Sequence, residues 1–507
     1  MSLYIYNNFK IKKSTISLFL ALLSLFKLTR VAIIVFLWYI LSQALNYADV
    51  NLSLLNFVSL VLILTIFLGA FGYLVISNKI RFWHPITWFI LTSAIYYGFG
   101  PLLYYFGSLA TINFVDNYYI VKDHNLFLVN SVVLLGLVAV IVFYLILSGL
   151  TNFHATMPNF DYLVKIKEID RKKISATAYF LIIIGIPMKL IFTLPHSIGL
   201  LDWQLSGFIK NFENFSVLAL IPLYLIKDVS LKHKLAFYLL VFFCVITALI
   251  TLSKLAIIIL LIVIFLAAKL KGISNFRAGI TGVLILYLYA AVLSPMVTYG
   301  RLNFNVAGIH SASNARQLIV DVWDSKTSAF MSVNLPGVQG WWARLNYANA
   351  QAFAIEHYDA GIAGNTLSQA LWVFVPRVLI PDKPNLSYGT NFNELVDSNP
   401  YSSSGPGMIV EGYWNAGWYG VIFVSFIMAL VYFLWERYIN YQLKKGHFQY
   451  LPVMFLGIFS ALTQDSWFVM STFGIFTLAV AMHWLIYLLF IVYCFIGKRS
   501  KYSVIRF

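Results

Sequence analysis

Long apolar runs recur along this chain at a spacing that water-soluble folds do not use. They fall near residues 29–47, 54–77, 84–106, 126–150, 174–194, 207–226, 234–251, 254–272, 279–297, 413–435, 449–470 and 474–496. A helix needs roughly 20 apolar residues to cross about 30 Å of hydrocarbon. In lipid an open strand or irregular segment leaves backbone polar groups unpaired, so runs of this length become helices. Composition agrees: 61% of the residues are hydrophobic and 11% charged, and mean hydropathy is +0.81. A soluble domain is about half apolar and a quarter charged. The expected fold class is an all-α integral membrane protein of about twelve transmembrane helices.

The net charge of +16 would suit a nucleic acid, but its distribution points to a bilayer instead. Basic residues sit in alternate short connections: Lys79/Arg81, Lys165 to Lys173, Lys227/Lys232/Lys234, Lys269/Lys271/Arg277, Arg437/Lys444/Lys445 and Lys498/Arg499/Lys501. By the positive-inside rule these mark the cytoplasmic side, which places both termini in the cytoplasm. Lys10, Lys12 and Lys13 precede an apolar run with no convincing cleavage site after it, so an uncleaved anchor is expected. Residues 15–28 are expected along the interface. Cys244 and Cys494 both lie in apolar runs and supply neither a disulfide framework nor a zinc site.

Three regions follow: a bundle of about nine helices over 1–297, a large extracytoplasmic loop over 298–412, and helices with a cytoplasmic tail over 413–507. The loop is punctuated by Pro336-Gly337, Gly364, Pro381, Pro384 and Gly405-Pro406-Gly407. Residues 341–358 read as one helix, with Arg344, Gln351 and Tyr358 on a polar face and His357 on another with Ala350, Phe353 and Ala354. Residues 366–380 are apolar but broken by Pro376, which suits a re-entrant or interfacial piece.

No phosphate-binding loop, zinc spacing or dinucleotide fingerprint is present. What remains is a set of charges on the outer side. Lys254, at the start of a run, either snorkels to headgroups or binds anions. Arg301, just past the next outer end, carries the same two readings, and Arg316 lies further along the loop. Arg344 heads a stripe that is either a ligand groove or a solvated face. Arg377 follows Pro376 in an apolar stretch and needs a partner, an anion or Asp382, with Lys383 beside it. Glu356, His357, Glu411 and Asp465 are the nearby acids and imidazole. His357 suits packing as well as chemistry. Asp465 is functional by default at that depth, or pairs with a neighbouring helix. Lys210 and Glu213 read as a local pair. Tyr413, Trp414, Trp418 and Tyr419 form either an interfacial belt or stacking faces for sugars. These residues alone point to an outward-facing site for an anionic ligand.

The segment Phe374-Val375-Pro376-Arg377-Val378-Leu379-Ile380-Pro381-Asp382-Lys383-Pro384 resembles the PR-x-L-x-PDKP signature of Wzy-type oligosaccharide repeat-unit polymerases, the O-antigen polymerases. Glu411 to Gly420 is similar to that family's E-x-Y-x-N-x-G-x-x-G stretch, and Thr251-Leu252-Ser253-Lys254 to its short basic turn. Two patterns are missing: an R-x10-G motif, and the histidine that O-antigen ligases place beside an asparagine, for Asn365 has none adjacent.

The resemblance implies a GT-C-like fold and cofactor-free, metal-independent glycosyl transfer at the outer face of a bacterial inner membrane. Its substrates would be undecaprenyl-pyrophosphate-linked oligosaccharides, with a chain-length regulator as a partner protein. Such chemistry needs cations for the departing pyrophosphate and a proton acceptor for the attacking hydroxyl. The expected cations are Lys254, Arg301, Arg344, Arg377 and Lys383. Glu411 is the first choice of base, ahead of His357 and Asp382, and Tyr413, Trp414 and Trp418 are the expected sugar-stacking rings. The alternatives are a lipid-linked oligosaccharide flippase, or another polyprenyl-phosphate-dependent glycosyltransferase such as a ligase. A flippase usually shows related halves and central charges, and neither is visible in the sequence.

Overall fold

The computed structural model describes residues 27–77, 79–150, 168–197, 212–251, 253–289, 338–375, 380, 382–384, 386, 388–397 and 404–503. Lys210, Arg301, Arg316, Arg377 and the interfacial segment expected before residue 27 lie outside the described residues. Every described element is helical.

Eight helices are long and apolar enough to cross a membrane: Leu28–Tyr47, Leu52–Ser77, Pro85–Phe106, Asp123–Leu150, Arg171–Thr193, Leu231–Ile250, Met408–Lys444 and Val469–Val492. Shorter apolar helices, Phe215–Ile226, Leu255–Leu270, Phe276–Leu288 and Phe448–Leu462, stand where the remaining runs lie. The chain is a multi-pass α-helical membrane protein.

The centre of the bundle is the contact of Asp123–Leu150 with Met408–Lys444, the most extensive helix pair in the fold. Gly136 makes it close: a Cβ there would collide with the side chain of Ile409. Ser425 Oγ donates to the Gly136 carbonyl at 3.2 Å across the same seam. Lipid offers no hydrophobic drive between helices, so small residues and such bonds hold them together.

Two ends of the bundle can be told apart. At one, the Ala348–Asp359 helix packs on both central helices, and Met408 N donates to the Gln464 carbonyl at 3.0 Å. This is the loop end. At the other, a buried cluster ties three elements. Glu436 Oε2 accepts from Tyr144 Oη at 2.8 Å and lies 3.4 Å from His84 Nδ1, while His84 Nε2 meets Asn440 Oδ1 at 3.1 Å. Glu436 also faces the backbone of Ile86, at the start of the Pro85 helix. That helix start has no side-chain cap of its own, so a carboxylate from another helix serves its unpaired N–H groups.

Three expectations need correction. Residues 341–358 are not one helix: Gly340–Ala343 ends at Arg344, and Ala348–Asp359 begins after a break. The helix expected from 413 starts at Met408 and is kinked, with Gly417 at φ 58° beside a non-helical Ala416. At about 55 Å for 37 residues it exceeds the hydrocarbon thickness, and the kink separates a short upper piece from the spanning one. The span expected over 449–470 ends at Leu462, and the last begins at Val469. Glu213, whose expected partner Lys210 lies outside the described residues, accepts from the Thr193 hydroxyl.

Candidate functional site

Glu411 lies in the first turn of the kinked helix, and its setting differs from the open surface expected for a base. It is fully buried. Oε1 accepts from Thr366 Oγ1 at 2.6 Å, and Oε2 accepts from the backbone N–H of Phe468. Asn415, one turn on, donates to Thr366 Oγ1 at 2.9 Å and to the Glu411 carbonyl at 2.8 Å. Its own Oδ1 accepts from Leu367 N at 3.0 Å. The carboxylate thus ends a chain of donors that clips residues 364–367 and 463–468 to one helix.

Two of the three expected stacking rings are also covered. Tyr413 is buried and its hydroxyl donates to Asp359 at 2.9 Å. Trp414 is buried between Phe392, at 5.2 Å between ring centroids, and Trp467, at 5.8 Å. These rings point into the seam between loop and bundle rather than into the interface. Trp418, 38% exposed, keeps a free face. His357 is half-buried with its ring 3.9 Å from that of Phe353. Asp382 is exposed. Lys383 donates to the Val375 carbonyl at 2.9 Å. Lys254 is the first residue of its helix, after Ser253, whose hydroxyl accepts from Ala256 N at 3.2 Å.

The polar residues that do converge are Arg344, Tyr347, Asp465, Tyr96 and Tyr289. Asp465 sits in the 463–468 turn, half-buried. Its Oδ2 accepts from the Tyr347 hydroxyl at 2.9 Å. The Tyr347 ring packs edge-on to Tyr96 at 5.5 Å. Tyr289 lies within electrostatic reach of both Arg344 and Asp465. Arg344 is exposed, and among the described residues no carboxylate pairs with it within 4 Å.

Local backbone explains the convergence. The break at 344–347 turns Arg344 and Tyr347 off the loop helices. A π-helical stretch, Ala94–Phe99, carries Tyr96, and another, Val469–Gly474, follows Asp465. Such wide turns re-aim side chains and are frequent at functional sites. Sequence reasoning had Arg344 and Asp465 singly. It missed Tyr347 and Tyr96, which only their aromatic placement at helix ends could have flagged.

Burial pushes the Asp465 carboxyl above the usual carboxylate range, and the Tyr347 hydroxyl bond pulls it back. An apolar cleft of about 110 Å³ runs between helices and is lined by Leu218, Ile259, Phe455, Phe459, Met470 and Leu478. Its wall includes the first turns of the helix that follows Asp465. A half-exposed carboxylate, an exposed guanidinium and an apolar cleft suit an amphiphile with an anionic head. Among the described residues no three His, Cys, Asp or Glu side chains converge as a metal site.

These features define a multi-pass helical membrane protein with a polar site at the loop end of its bundle. No protein-family model, curated protein or solved structure matches the chain.

Proposed function

We propose that this protein is a polyprenyl-diphosphate-dependent glycosyltransferase that polymerises lipid-linked oligosaccharide repeat units at the outer face of a bacterial inner membrane. The observation that carries the reading is the Arg344–Asp465 cluster at the loop end, a cation and a carboxylate that share Tyr289 as a neighbour, with an apolar cleft walled by the helix that follows Asp465. In the orientation argued from the basic loops, the loop end faces outward. The lipid-linked sugar would then enter from the bilayer with its diphosphate at the membrane surface.

In the reaction, an acceptor hydroxyl oxygen bonds to the anomeric carbon of the donor as the carbon–oxygen bond to the lipid diphosphate breaks. The diphosphate leaves with the bonding electrons, and the hydroxyl proton passes to a protein acceptor. Arg344 stabilises the leaving anion through the charge-assisted, bidentate bonds that a guanidinium makes to phosphate. Arg301, Arg377, Lys254 and Lys383 are its proposed companions, and the open ring of Trp418 is proposed to stack on a sugar.

The purified chain in lipid nanodiscs, supplied with a lipid-linked repeat unit, should yield longer lipid-linked products. Arg344→Ala should slow that lengthening by about 10²–10³-fold, the range for losing one charge-stabilising donor. Transport of the repeat across a vesicle without lengthening would replace the reading with a flippase.

A further inference from the structure

We infer that Asp465 is the residue that takes the acceptor hydroxyl proton, with Tyr347 positioning its carboxylate. The inference rests on the glycosyl-transfer reading and goes beyond it by naming the acid–base group, which the buried Glu411 cannot readily supply.

Three geometric facts carry it. Asp465 is half-buried in a turn between two membrane-embedded helices, so it meets both the surface and the protein interior. Its Oδ2 is held by the Tyr347 hydroxyl at 2.9 Å, which fixes the rotamer of the group. It shares Tyr289 as a neighbour with Arg344, which puts the proposed proton acceptor and the proposed diphosphate cation in one cluster. Glu411, by contrast, is fully buried and has both oxygens engaged by Thr366 and Phe468.

The groups that face Asp465 are Tyr347 from the loop, Tyr96 and Tyr97 from the Pro85–Phe106 helix, and Tyr289 from the end of the helix beginning at Asn275, with Arg344 beyond. Burial disfavours the carboxylate and raises its proton affinity toward that of a useful base, while the Tyr347 hydroxyl bond opposes the shift. In the step, the acceptor oxygen bonds to the anomeric carbon and its proton moves to Asp465. The diphosphate leaves as an anion beside Arg344. Asp465 then gives the proton to water.

Reconstituted protein with lipid-linked repeat units tests this. Asp465→Asn should lower turnover by about 10²–10⁴-fold while binding of the lipid-linked donor changes little. A base must be ionised, so the rate should fall as pH drops through the Asp465 pKa. The acid limb of kcat/KM should lie above the ordinary aspartate value near 3.9. Tyr347→Phe removes the bond that favours the ionised form, so its acid limb should move to higher pH, a shift that a merely structural tyrosine would not produce. Near-normal turnover in Asp465→Asn, or an unmoved limb in Tyr347→Phe, overturns the inference and leaves an active wild type supporting glycosyl transfer. If Asp465→Asn does not reconstitute, the Tyr347→Phe profile decides alone. A wild type that lengthens no lipid-linked chain sinks both readings.

Discussion

Glu411 shows how one side chain can look catalytic and be a fastener. Its carboxylate receives two donors from two different segments, Thr366 Oγ1 and Phe468 N. Glutamine at 411 would turn an amide N–H toward one of those donors and leave a buried donor unmet. That costs about 1–3 kcal/mol, so the Glu411→Gln thermal midpoint in detergent should fall. Thr366→Val, which deletes the other half of the bond, should fall by a similar amount. The rival outcome is an unchanged midpoint with turnover cut by about 10²–10⁴-fold, the pattern of a lost base. Trp414 belongs beside it. The chain places Gly364 where any Cβ would meet the indole at 2.7 Å, so that the loop backbone lies on the ring, and Gly364 N donates to the Trp414 carbonyl at 2.8 Å.

Among the elements, the kinked Met408–Lys444 helix decides the most. Its upper piece carries Glu411, Tyr413 and Trp414 into the loop, and its lower piece carries Glu436 to the other end. The kink depends on Gly417, whose φ of 58° and ψ of −144° suit only glycine. A Cβ there would also lie 2.9 Å from the Tyr358 ring. Gly417→Ala should destabilise the protein by about 1–3 kcal/mol and loosen the loop, read as a lower thermal midpoint and faster proteolysis near Tyr358. Gly72, where an added methyl would meet nothing within 4 Å, is the control. Gly72→Ala should be neutral or slightly stabilising, and equal losses at both positions would show that the kink is not special.

At the scale of the molecule, orientation is the property on which the site's role turns. The alternating basic turns predict the loop end outside and the Glu436 end in the cytoplasm. The Lys271–Asp228 pair, 2.6 Å apart between two such turns, lies at the latter. Alkaline phosphatase fused at residue 395 should be active, and a fluorescent protein fused at 230 or 445 should glow. A cytoplasmic readout at 395 would put the Arg344–Asp465 cluster on the wrong face for an externally assembled polymer.

The sequence by itself determined where helices form and which segment is the polar loop, because membrane-length apolar runs have no other satisfied backbone in lipid. Each run expected near 29–297 and 413–496 has a described helix, within a few residues at most ends. It marked Asp465 as functional by default at its depth or paired with a neighbouring helix, and Arg344 as the head of a stripe that is either a ligand groove or a solvated face. Only the tertiary structure decided which side chains meet. Inside a bilayer, lipid-facing and protein-facing residues are equally apolar, so hydropathy carries no face information. His84 and Asn440, 356 residues apart, gave no hint of their contact, nor did Tyr347 and Asp465. The break at 344–347 and the glycine kink at 417 set those meetings, since each re-aims side chains by a backbone change that the apolar pattern does not encode.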